Sequence, residues 1–183
     1  AAADTVKSGT CGGNLTWTLD TDGVLTISGS GEMEDYSSQW DNYKPSPWWY
    51  SSYIKSVIVE YGVTTIGNRS FDGCKNLKIV GISNSVTSVG EYAFYDCTGL
   101  TDITLPSSVV SVGESAFCQC SSLTNIDLSK NLTAIGSSAF YGCDALTDID
   151  IPEGVHAINE YTFDSCDALT SVTIPDGLIS IGD

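Results

Sequence analysis

The residues of this chain best suited to chemistry are carboxylates, an amide and a hydroxyl that recur at one interval. Asp102, Asn125 and Asp148 lie 23 residues apart, and so do Thr104, Asp127 and Asp150. If residues one interval apart sit above one another on stacked strands, about 4.8 Å apart, these six side chains share one outward face. Such a face has three readings: a hydrated acidic surface with no partner, a binding surface for basic protein segments or for a divalent cation such as Ca²⁺, or a glycosidase pair. Asp127 and Asp150 would stand about 5 Å apart, the separation used in retaining glycoside hydrolysis. That reaction also needs a pocket that excludes water and raises one carboxyl's pKa, which a shallow sheet does not offer. The carboxylates therefore read as a binding face, and the chain as a non-enzyme.

Other reactive residues support that reading. Trp48 and Trp49 sit in an aromatic run with Trp40, Tyr43, Tyr50 and Tyr53, and could stack on sugar rings or pack against the core. His156 is the only histidine, so no histidine-rich metal site exists, and a Cys118–His156 nucleophile pair would need contact between coils two steps apart. No glycine-rich phosphate cradle is present, because the glycines follow the 23-residue period. The balance of 23 Asp and Glu against 7 Lys and Arg gives a net charge of −16, with no basic residue after Lys130. This repels phosphate backbones and anionic lipid, excluding nucleic acid as a partner and disfavouring adsorption to membranes. No apolar run is long enough to insert in a bilayer. Five of the seven cysteines occupy one column, from Cys74 to Cys166. Parallel side chains in one column point alongside each other, which predicts free buried thiols. Cys118, next to Phe117, is expected to point outward.

The elements that must position the acidic face follow from the period itself. Phe71, Phe94, Phe117, Phe140 and Phe163 keep the interval, as do Ile54, Leu77, Leu100, Leu123, Leu146 and Leu169. A fixed period with this many columns describes a solenoid in which each coil buries its apolar face on its neighbours. Leu100 to Leu105 alternates apolar and polar, predicting the strand that pairs in parallel with its copies; Ile103, Ile126 and Ile149 face the core. Val109 and Val112 form a second inward ridge, and Glu114 to Phe117 is expected to make one helical turn. The column Gly67, Gly90, Gly113, Gly136, Asn159, Gly182 predicts a left-handed backbone position. Before the repeats, Leu15–Leu19 and Val24–Ser28 alternate around Asp22-Gly23, a β-hairpin signature. Ser46-Pro47 is a plausible helix start for Trp48 to Tyr53.

The run Val109-x-x-Val112-Gly113-x-x-Ala116-Phe117-x-x-Cys120, continued by Leu123, Ile126 and Leu128, resembles the BspA-like class of bacterial leucine-rich repeats over about 130 residues. That resemblance implies an α/β-type solenoid: a right-handed coil stack with a parallel sheet on one face. It also implies an extracellular or cell-surface protein that adheres to a host or matrix protein or glycan, with no shared catalytic residues and no required cofactor. We expect an N-terminal β-hairpin and aromatic cap over residues 1–53 and the solenoid over 54–183. The expected function is adhesion through the sheet face, with two alternatives: a structural spacer presenting other domains, or carbohydrate binding through Trp48 and Trp49. The small-residue start Ala1-Ala2-Ala3 is expected to be a remnant of export processing. The mid-coil stop at Asp183 is expected to reflect a natural sequence that continues or ends that associate.

Overall fold

A computed structural model describes residues 4–38 and 43–182, so Ala1–Ala3, Trp40 and Asp183 lie outside the described residues. The chain opens with β1 (Thr5–Gly12), β2 (Leu15–Asp20) and β3 (Val24–Gly29), paired antiparallel in that order. The predicted hairpin is β2–β3, turning at Gly23 (φ 84°), where Asp20 Oδ1 accepts from the Asp22 and Val24 amides. Strand β1 was not legible in the sequence, because Thr5–Gly12 has no apolar alternation and most of it is exposed.

The hairpin does not stand apart from the repeats. β3 pairs in parallel with β5 (Ser56–Val59), which pairs with β7 (Ile79–Ile82). β4 (Gly31–Glu32) joins β6 (Val63–Ile66), and a second ladder continues through β8 (Ser88–Val89), β10 (Ser111–Val112) and β12 (Ala134–Ile135). Further along the first face, β9 (Asp102–Thr104) pairs with β11 (Asn125–Asp127), and β13 (Asp148–Asp150) with β15 (Ser171–Thr173). β14 (Ala157–Ile158) pairs with β16 (Ser180–Ile181). The result is a β-solenoid of about five turns with parallel sheets.

Among the described residues there is no helix, which corrects the α/β-type expectation. Glu114–Phe117 and Pro47–Tyr50 are turns. The reason lies in their backbone signs. Left-handed φ values recur at Arg69, Tyr92, Ser115, Ser138 and Tyr161, and four residues later at Gly73, Asp96, Gln119, Gly142 and Ser165. A left-handed residue every four positions cannot propagate a right-handed helix. The turns instead bond across coils in one sense. The amides of Tyr92, Phe94 and Asp96 donate to Glu114, Ala116 and Cys118, and those of Ser115, Phe117 and Gln119 to Ser137, Ala139 and Tyr141.

The glycine column needs a different explanation from the one predicted, since none of its members has positive φ. A Cβ on Gly113 would lie 2.7 Å from the Glu91 nitrogen, and one on Gly136 2.4 Å from the Glu114 nitrogen. Glycine supplies clearance at Gly113 and Gly136 because consecutive coils touch backbone to backbone there, while Asn159 takes the same column position in its coil with its Nδ2 donating to the Ile135 carbonyl.

The core consists of stacked columns. Phe71, Phe94, Phe117 and Phe140 are fully buried, and successive rings stack at 5.1, 5.3 and 5.7 Å. Trp48 extends the stack, 5.9 Å from Phe71. It lies one period before Phe71, and Tyr50 shares the left-handed φ of Gly73. The Trp-Trp-Tyr segment thus belongs to a coil that precedes Ile54. All seven cysteines are free. The thiols of Cys97, Cys120, Cys143 and Cys166 donate to the carbonyls of Phe71, Phe94, Phe117 and Phe140 at 3.1–3.3 Å. Burial pushes the Cys74 thiol up to about 12, despite a backbone hydrogen bond that acts the other way. Cys118 is buried at 7% exposure, not outward as predicted, because the left-handed residues on either side rotate the turn.

Candidate functional site: the acidic sheet face

Strand alternation fixes this face. Ile103, Ile126 and Ile149 are 2–5% exposed, which forces their neighbours Asp102, Thr104, Asn125, Asp127, Asp148 and Asp150 to the solvent side, and all six are exposed. Register places Asn125 opposite Asp102 and Asp127 opposite Thr104, while Asp148 faces Ser171 and Asp150 faces Thr173.

Threonines partner three of the carboxylates. The Thr104 hydroxyl donates to Asp127 at 3.1 Å across coils, Thr101 donates to Asp102 at 2.9 Å, and Thr147 to Asp148 at 2.8 Å. Each acid keeps free lone pairs, because a carboxylate has about four acceptor sites. Hydrogen bonding on this face joins β9 to β11 and β13 to β15 as two separate ladders. Asp127 and Asp150 therefore stand on different ladders, and the larger clefts of the molecule are lined by other residues. With no enclosure, the pair lacks the pocket glycoside hydrolysis requires. Among the described residues, no three His, Cys, Asp or Glu side chains converge to hold a metal ion. The exposed carboxylates form an open rail along the two ladders.

The remaining candidates separate cleanly. Trp48 is 4% exposed, edge-on to Trp17 at 5.4 Å, with its Nε1 donating to the Ser70 carbonyl. A sugar ring cannot reach it, so half of the expected platform is lost to the core. Trp49 is half-buried and packs edge-on to Tyr50 at 4.7 Å. His156 pairs through Nδ1 with the Gly177 carbonyl at 3.0 Å, and Cys118 lies buried elsewhere. These two do not form a catalytic pair. The sequence did not reveal the threonine partners, although Thr101, Thr124, Thr147 and Thr170 keep the period and could have indicated them.

No curated protein matches the chain at a significant level. Among solved structures, a leucine-rich repeat protein of T. pallidum superposes with a TM-score of 0.73 at 24% identity, covering 92% of this chain and 83% of that one. A leucine-rich repeat protein from Bacteroides ovatus gives a TM-score of 0.65 at 21% identity over 93% of this chain, which spans about half (54%) of that protein. Both share the fold. The profile of the BspA type leucine rich repeat region matches in six copies over residues 45–166 and 133–183, beginning ahead of Ile54 as the Trp48 stacking requires. The chain belongs to the BspA-type leucine-rich repeat family.

Proposed function

We propose that the chain is a non-enzymatic binding module of a secreted or cell-surface protein, and that its acidic sheet face holds an extended basic segment of a host or matrix protein. The observation that carries this reading is the set of exposed Asp102, Asp127, Asp148 and Asp150 side chains on a frame fixed by fully packed isoleucines. The frame holds the carboxylates in place before binding, so little ordering cost falls on the complex. An extended partner would lay alternate basic side chains along the rail, and carboxylates recognise guanidinium groups by paired charge-assisted hydrogen bonds. The absence of Lys and Arg after Lys130 leaves the rail without competing cations on that part of the chain.

The test is titration with an arginine-rich octapeptide at low and high salt. Binding should weaken with salt, and the double variant Asp127→Asn/Asp150→Asn should lose about 0.5 kcal/mol per carboxylate, as exposed ion pairs do. Unchanged affinity in the double variant, or equal binding of an acidic octapeptide, would overturn the reading.

A further inference from the structure

A second surface, on the turn side of the first coils, has a different chemistry. A cleft of about 250 Å³ is lined by Trp49, Tyr50, Arg69, Asp72, Tyr92 and Tyr95. A neighbouring cleft of about 240 Å³ shares Arg69 and Tyr92 and adds Asn68 and Glu91. The walls are aromatic. Tyr50, 49% exposed, lies over Gly73 so closely that a Cβ there would be 2.8 Å from its ring. Tyr92 and Tyr95 also line it, their ring centres 5.7 Å apart. The floor is an ion pair, Arg69 Nη1 to Asp72 Oδ2 at 3.0 Å, and the guanidinium carbon sits 4.0 Å from the Tyr92 ring centre. The second Asp72 oxygen, Oδ1, is buried and has no hydrogen-bond donor among the described residues. Burial pushes the Asp72 carboxyl up, against the opposing pull of Arg69.

Electrostatics narrow the ligand. A cation would compete with Arg69, which already fills the place beside the carboxylate and over the ring. An anion would meet Asp72, Glu91 and the chain's overall charge of −16. What remains is a neutral molecule with an apolar face for the tyrosines and hydroxyls for the polar floor. Arg69 spends one of its donors on Asp72 and has others to give. We propose that this cleft is a binding site for a neutral saccharide, with the exposed Tyr50 packing on the sugar ring, and with Arg69, held in place by Tyr92 and Asp72, donating to its hydroxyls. The two adjoining clefts offer room for more than one sugar unit. The site is separate from the acidic sheet face, so each stands or falls by itself.

The experiment is calorimetric titration of the whole chain with neutral hexasaccharides of glucose, mannose, xylose and N-acetylglucosamine, alongside a sulfated oligosaccharide of similar length. At least one neutral hexasaccharide should bind saturably with a Kd near or below about 1 mM. Tyr92→Ala and Tyr50→Ser should each weaken it about tenfold, and Arg69→Gln should weaken it too. Asp127→Asn/Asp150→Asn should leave it unchanged. Tyr50 is a half-exposed ring, so its variant keeps the fold if the Tyr92 variant does not, and thermal unfolding of each variant verifies this. The proposal is overturned if no neutral hexasaccharide binds up to about 10 mM, if Tyr50→Ser binds as the parent does, or if the sulfated sugar binds more tightly than the neutral ones.

Discussion

Replacing Phe117 with alanine tests the stacked interior directly, because its effect should depend on position in the stack and not only on residue type. Phe117 is fully buried between Phe94 at 5.3 Å and Phe140 at 5.7 Å, with rings nearly parallel at 4° and 7°. Phe163 is partly buried and has its stacking partner, Phe140, at 5.7 Å. A buried Phe→Ala change costs about 3–5 kcal/mol, which includes the cavity it leaves. Phe117→Ala should therefore lose about 4 kcal/mol, and Phe163→Ala, partly exposed and with one stacking neighbour among the described residues, about 2 kcal/mol. Urea denaturation followed by tyrosine and tryptophan fluorescence measures both. In a solenoid, where each coil touches only its neighbours, the central variant should also lower the m-value, because the two halves begin to unfold separately. A double-mutant cycle sharpens the result: Phe94 and Phe117 should couple by about 0.5–1.5 kcal/mol, and Phe71 with Phe140 within about 0.5 kcal/mol of zero. If Phe163→Ala costs as much as Phe117→Ala, or if the distant pair couples as strongly as the adjacent one, the stacked-coil account fails.

Two further outcomes follow from the same geometry. Gly136→Ala would place its Cβ 2.4 Å from backbone and should cost about 1–3 kcal/mol by overpacking, whereas Gly81→Ala, whose nearest neighbour is 3.9 Å away, should stay within about 0.5 kcal/mol of the parent; thermal melts distinguish them. The buried thiols predict alkaline lability. Burial raises Cys118 from 9.0 to about 11 and Cys74 to about 12, so the folded chain binds protons that the unfolded chain releases above pH 9. Their contribution is complete below about pH 9 and is lost as pH climbs through 11 to 12, at about 1.4 kcal/mol per pH unit for each buried thiol. Urea midpoints measured from pH 7 to 11 should be flat at first and then fall, and Cys118→Ala should flatten the fall.

The sequence carried the period, the inward columns and the outward acids, because side-chain alternation on a strand leaves no choice once Ile103, Ile126 and Ile149 are buried. It did not carry the backbone signs. Ser115 and Tyr92 are ordinary residues, and nothing in their identity announces a left-handed φ; cross-coil hydrogen bonds impose it. The Gly113 column looked like a conformational requirement and proved to be one of clearance. Trp48 reads as part of a cap because tryptophan in place of phenylalanine hides the period, although subtracting one interval from Phe71 reaches it. On the candidate face, the Asp positions were legible, but the Thr104–Asp127 bond and the break in hydrogen bonding between β11 and β13 are set by how neighbouring coils pair, which the repeat pattern does not encode.

The turn-side bonds run in one direction, since each coil's amides at these positions donate to the carbonyls of the next coil toward the C-terminus. Parallel strands offer both groups to each neighbour, but this ladder has a donor end and an acceptor end. The peptide dipoles along it add, in the manner of a helix macrodipole laid along the stack, with their N–H ends directed toward the C-terminal coils. A coil that stacks on the C-terminal side of another must meet it carbonyl first, so the rod has a polarity that governs which face of one coil can join the next.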